Sequence, residues 1–138
     1  MAKNTGKPSE MAFERRIRAL GKSAWFFRFM DAAEVVGRTG KGGFIRPQPS
    51  DYMLVIRGIT IFAEVKSTTS ATSFAFSLLR PTQSAMAEMI EVAGGIYKIF
   101  VHRLDTDQWY NIPYSLVRST KAAGRSSLPW AQLEEYLW

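Results

Sequence analysis

Cysteine is absent from the 138-residue chain and histidine occurs once, at His102. Disulfide frameworks, thiolate nucleophiles, structural zinc sites and Ser/His/Asp triads therefore lack their parts. The chemistry left to an enzyme is that of carboxylate, lysine and hydroxyl groups, which favours hard, oxygen-liganded cations such as magnesium or manganese. Long apolar runs are missing as well, so no segment reads as a membrane span. The first residues, MAKNTGKPSE, have no apolar stretch of the kind a secretory signal needs. A reducing cytoplasm is the expected setting. Acid is scarce relative to base: 12 Asp and Glu against 18 Lys and Arg leave a net charge of +6 and a pI near 9.8. The basic residues are spread along the chain, which points to a polyanionic partner such as nucleic acid.

What is present reads as one folded domain. Hydrophobic residues make up 46% of the chain, enough for a real core at this length. Residues 1–10 read as a flexible polar N-terminus and 11–138 as a single domain. MAFERRIRAL, residues 11–20, puts Phe13, Ile17 and Leu20 on one helical stripe, with Arg15, Arg16 and Arg18 away from it. WFFRFM, residues 25–30, reads as a buried strand, and GRTGKGG, residues 37–43, as a basic loop. That loop has neither the spacer nor the Ser/Thr after lysine that a phosphate-binding P-loop requires. Residues 80–93 read as a helix stopped by Gly94-Gly95, GIYKIFVHRL and DQWYNIP as two further strands, and the last residues, LPWAQLEEYLW, as a helix. Trp25, Phe26, Phe27, Trp109 and Tyr110 are expected in the core, and His102 is expected to be a packed or surface residue rather than a catalytic one.

The stretch PSDYMLVIRGITIFAEVKST, residues 49–68, carries the chemistry. Two apolar runs meet at Arg57-Gly58, where a two-residue turn with a positive φ at Gly58 makes a β-hairpin. Pairing Ile56 with Ile59 sets Asp51 opposite Glu64, with Cβ atoms about 5 Å apart on one face, where like charges destabilise a sheet unless a cation lies between them. Lys66, two residues on, returns to that face. Asp51, Glu64 and Lys66 thus converge as phosphodiester hydrolysis requires: carboxylates to hold a metal ion and an amine beside the attacking water. The plain alternative is a surface hairpin with a Glu64–Lys66 ion pair and Asp51 merely opening a strand.

Pro49-Ser50-Asp51 followed by Glu64-Val65-Lys66 resembles the PD-(D/E)XK nuclease motif. SFAFSLLRPTQ, with Ser73-Phe74 ahead of Gln83, and FERRI, with Glu14 on the first helix, narrow the resemblance to the RecU-type Holliday junction resolvases. It spans roughly residues 6–115; those resolvases also carry a stalk, whose place only the stretch around GRTGKGGFIRPQ could take. The resemblance implies an α/β fold, a mixed central β-sheet flanked by helices, and a homodimer that cuts four-way DNA junctions with Mg²⁺, for which Mn²⁺ substitutes. It implies that Asp51, Glu64, the Val65 carbonyl and Glu14 bind metal, that Lys66 sits by the nucleophilic water, and that Gln83 positions Lys66, the water or the phosphate. Glu14 has a plain alternative as a partner of Arg18, and Gln83 as a helix-capping residue. Arg15, Arg16, Arg18, Lys22, Arg38, Lys41, Arg46 and Arg80 would contact phosphates. The competing functions are another DNA endonuclease of the same fold, a non-catalytic nucleic-acid-binding module, and a protein-binding domain whose charge is incidental.

Overall fold

A computed structural model describes residues 6–30 and 47–138. Helix α1 spans Gly6–Arg18, followed by strand β1 (Ala24–Arg28), β2 (Tyr52–Ile56), β3 (Ile59–Thr68) and β4 (Ser73–Ala75). Helix α2 (Pro81–Val92), strands β5 (Tyr97–Arg103) and β6 (Gln108–Pro113), helix α3 (Tyr114–Ala122) and strand β7 (Ser127–Pro129) complete the order. The main sheet runs β1-β2-β3-β5-β6, while β4 and β7 form a small second sheet. All neighbours in the main sheet are antiparallel except β3 and β5, which are parallel because α2 crosses over between them. The expected mixed α/β architecture is the one observed.

The hairpin forms as its turn chemistry dictates. Arg57 and Gly58 both take positive φ, 50° and 83°, as the primed two-residue turns that match strand twist require. Ile56 faces Ile59, and the ladder continues to Tyr52 opposite Ala63. Strand alternation then sorts the two faces. Tyr52, Leu54, Ile61, Ala63 and Val65 turn toward α1, where Phe13 and Ile17 complete a core with Phe100 and Trp109. The Phe13 ring lies 5.0 Å from Tyr52 and 4.9 Å from Phe100, and burying such a ring is worth roughly 2–3 kcal/mol. The opposite face carries Tyr97, Ile99, Val101 and Ile112 beneath α2 and α3, with Phe74, Trp130 and Leu133 closing the edge.

Several elements depart from expectation. Helix α1 begins at Gly6 rather than residue 11: Pro8 falls in the first turn, where its missing N–H costs nothing, and Ser9 extends the inward stripe of Phe13 and Ile17. Residues 6–10 are therefore helix, not a flexible terminus. Helix α3 was not anticipated; it follows Pro113 and turns Tyr114, Val117 and Thr120 inward. The C-terminal run is not an α-helix but two 3₁₀ turns, Trp130–Gln132 and Glu134–Tyr136. Its anchors Trp130 and Leu133 are three residues apart, the 3₁₀ period. Trp25 and Phe27 are not core: β1 is an edge strand, and their side chains stay 50% and 51% exposed. The basic 37–43 loop lies outside the described residues. Among the described residues no helix is long and apolar enough to cross a membrane.

Candidate active site

One step beyond the Tyr52–Ala63 pair, the hairpin brings Asp51 alongside Glu64. Asp51 Oδ2 accepts the Val65 N–H at 2.9 Å. This side-chain bond takes the place of a ladder bond and holds the Asp51 carboxylate where the strands part. Glu64 is 3% exposed and points to the α2 side. Its Oε2 accepts from Gln83 Nε2 at 3.1 Å and its Oε1 from the Tyr97 hydroxyl at 3.1 Å. Burial, and then the neighbouring Asp51 carboxylate, push the Glu64 carboxyl up to about 8, against the downward pull of Lys66 and of the Tyr97 hydroxyl. Asp51, Glu64 and Lys66 are thus brought together on one face, as the hairpin register requires.

Gln83 caps its helix and also reaches the site, where its partner is Glu64 rather than Lys66. Its Oε1 accepts the Arg80 N–H at 2.9 Å, capping α2, and this commits its amide NH₂ to Glu64. The capping bond therefore orients the site contact. Sequence reasoning missed Tyr97. The residue reaches Glu64 only because β3 and β5 are parallel with Phe62 beside Tyr97, a long-range pairing with no local signature. Burial and the Glu64 charge hold the Tyr97 phenol above its ordinary range.

Glu14 does not join this cluster. It lies on the α1 side, where its Oε2 accepts from the Tyr52 hydroxyl at 2.6 Å and its Oε1 faces Arg18 at 3.5 Å. The other acid of α1, Glu10, lies one turn earlier, toward the strand end next to Asp51. Glu10 lies 3.6 Å from Arg28, the residue before Phe29, whose N–H donates to the Asp51 carbonyl at 2.9 Å. Its carboxyl is pushed up by burial and then by the Asp51 charge, against Arg28 and Lys7. Extending the helix back to Gly6 would have exposed this candidate in the sequence.

Among the described residues no three acidic or histidine side chains gather as a ready-made metal cage. The donors at hand are the carboxylates of Asp51 and Glu64 and the backbone carbonyl of Val65, which leaves its strand on the same side as the N–H that Asp51 binds. An all-oxygen set with two carboxylates fits magnesium, which keeps several waters and shares its remaining positions with substrate phosphate. An acid pushed up to about 8 by burial and then by a second carboxylate is what such a cation would relieve.

The basic residues divide. Arg80 is exposed at the start of α2, on the face of Glu64. Arg15, Arg16 and Arg18 ride on α1, over the other face of the sheet. Arg16 lies over the Trp138 ring at 4.5 Å and donates to the Trp138 carbonyl, while Arg18 lies over Phe26 at 5.0 Å. Lys22 is exposed in the 3₁₀ turn before β1. Arg38, Lys41 and Arg46 lie outside the described residues.

The RecU family model, described as Recombination protein U, matches residues 27–138. The chain belongs to the RecU family. The matched stretch of this RecU chain includes Asp51, Glu64, Lys66, Gln83 and Tyr97, whereas Glu10 and Glu14 precede it. Among solved structures it is similar to Hjc of Archaeoglobus fulgidus, titled a Holliday junction resolvase from an archaeal hyperthermophile. The TM-score is 0.53 at 12% identity, over 80% of this chain and 78% of that one. At that identity the likeness concerns the fold. No curated protein matches the chain.

Proposed function

We propose that this RecU-family chain is a metal-dependent DNA endonuclease that resolves four-way junctions, working in the cytoplasm as a homodimer built from one nuclease domain per chain. The observation that carries the reading is the buried Glu64 carboxyl, clamped by Gln83 and Tyr97 beside Asp51 on the face of Lys66. A structural ion pair has no need of so much desolvated acid. Family membership and the likeness to an archaeal resolvase support the substrate. Two opposed strands must be cut, which calls for two copies related by a two-fold axis.

Asp51, Glu64 and the Val65 carbonyl would hold Mg²⁺, with Mn²⁺ able to substitute, and Glu10 rather than Glu14 would supply the further carboxylate from α1. When bound, the cation offsets charge on the phosphoryl oxygens and lowers the pKa of a water. Lys66 would orient the attacking water and balance the charge that develops on phosphorus. Gln83 and Tyr97 keep the Glu64 oxygens aimed, and Arg80 would hold a phosphate near the start of α2.

The test is to incubate the purified protein with labelled four-way junction, flap and linear duplex, with and without Mg²⁺. Symmetrical nicks confined to the junction are expected. Cleavage of flaps or duplex would instead mark another DNA endonuclease of this fold. Salt-sensitive binding without cleavage would mark a non-catalytic module, and absence of salt-sensitive DNA binding would mark a protein-binding domain.

A further inference from the structure

The inward stripe of α1 runs Ser9, Phe13, Ile17. Phe13 and Ile17 pack as apolar residues should; Ser9 occupies the same stripe with a hydroxyl at 1% exposure. A buried hydroxyl is costly unless it is bonded, and its partner is the chain's one histidine. Ser9 Oγ lies 2.8 Å from His102 Nδ1, and His102 Nε2 lies 2.7 Å from Asp107 Oδ1. The His102 ring stacks on Trp109, centroids 4.5 Å apart and planes 6° apart. Asp107 sits in the β5–β6 turn at φ 54°, a left-handed conformation that Asp tolerates better than most residues. A neutral ring with its proton on Nε2 satisfies both bonds: the Ser9 hydroxyl donates to Nδ1, and Nε2–H donates to Asp107.

Ser, His and Asp therefore do meet, against expectation from composition, but not as a nucleophilic triad. In a triad serine meets Nε2 and the carboxylate meets Nδ1; here the order is reversed, and Ser9 is too buried to reach a substrate. What the array does is tie the first turns of α1 to the far end of β5, across a sequence separation of 93 residues. Helix ends fray because their outer amides lack partners, and Ser9 is the one buried residue of α1 ahead of Phe13. The next residue is Glu10, about 100° round the helix, facing Arg28 at 3.6 Å beside the strand end that carries Asp51.

We propose that Ser9, latched by His102 and Asp107, is a positioning residue that fixes the second turn of α1 and so keeps the Glu10 carboxylate on Arg28, toward the strand end next to Asp51. The latch lies opposite the catalytic face and touches none of the reacting groups, so it acts through Glu10 alone. This inference rests on the proposed metal-dependent cleavage.

The experiment compares full-length wild type, Ser9→Ala, Ser9→Thr, His102→Gln, Glu10→Gln and the Ser9→Ala/Glu10→Gln double variant. Amide hydrogen exchange of metal-free protein is read across residues 7–12, and nicking is titrated with Mn²⁺ alone as the metal. Ser9→Ala and His102→Gln should speed exchange in that segment about 10-fold while leaving β3 and β5 protected. They should raise the Mn²⁺ needed for half-maximal nicking about 5- to 10-fold, with the rate at saturating Mn²⁺ within about 2-fold of wild type. Ser9→Thr restores both values, and in the Glu10→Gln background Ser9→Ala adds nothing to the metal requirement. Unchanged exchange across residues 7–12, or a full additional Mn²⁺ effect of Ser9→Ala on top of Glu10→Gln, overturns the proposal. If wild type itself shows no metal-dependent nicking, the nuclease reading fails instead, while the exchange data still report whether the latch holds α1.

Discussion

Replacing Glu64 with glutamine should stabilise the metal-free protein while abolishing cleavage. The folded carboxyl is raised from 4.5 to about 8, so the folded state binds its proton more tightly than the unfolded chain does. The stability this contributes is complete below about pH 4.5 and is lost as pH rises through about 8. At 1.36 kcal/mol per pH unit the full span corresponds to about 5 kcal/mol, an upper bound because water entry and local relaxation reduce it; about 2–5 kcal/mol is expected. The substitution suits the site: the glutamine oxygen accepts from Gln83 Nε2, whose own oxygen is committed to the Arg80 N–H, and the new NH₂ donates to the Tyr97 oxygen. Thermal melts in EDTA at about pH 5 and about pH 9 measure the effect. The Glu64→Gln variant should melt close to wild type at the lower pH and on the order of 10 °C above it at the higher. Mg²⁺ should then stabilise the wild type at about pH 9, by about 2.7 kcal/mol at a hundredfold excess over its dissociation constant, and leave the variant unmoved. Wild type and variant melting together at both pH values would refute the account of Glu64 as an acid held out of its ordinary range by burial and Asp51.

Other substitutions test the remaining contacts. Glu10→Gln should raise the Mn²⁺ requirement for nicking about 10-fold or more, whereas Glu14→Gln, which weakens a bond to Tyr52, should leave that requirement unchanged and cost about 1 kcal/mol of stability in denaturant titration. Tyr97→Phe removes a hydroxyl that draws the Glu64 pKa down; the alkaline shift of the pH–rate profile at limiting Mg²⁺ measures it, and about half a pH unit or more is expected.

The hairpin and the meeting of its charged residues were legible in the sequence because they depend on short-range rules. Two apolar runs joined by Arg57-Gly58 allow one tight turn, the turn sets the register, and the period of two places Asp51, Glu64 and Lys66 on one face. The capping role of Gln83 is equally local. The mixed sheet was what the family resemblance implied, and the helix between β3 and β5 makes that one pair parallel.

Tertiary structure alone decided which groups join the cluster from afar. Glu10 and Glu14 lie four residues apart on one helix, and only the way α1 crosses the sheet sets Glu10 against Arg28, near the strand end next to Asp51, and Glu14 against Tyr52. Tyr97 meets Glu64 through the parallel register of β3 and β5, and Ser9 meets His102 through the packing of Phe13 and Ile17. Periodicity and turn residues constrain neighbours within a few positions. Contacts between distant elements are set by how their apolar faces fit together, and no single segment of sequence contains that fit.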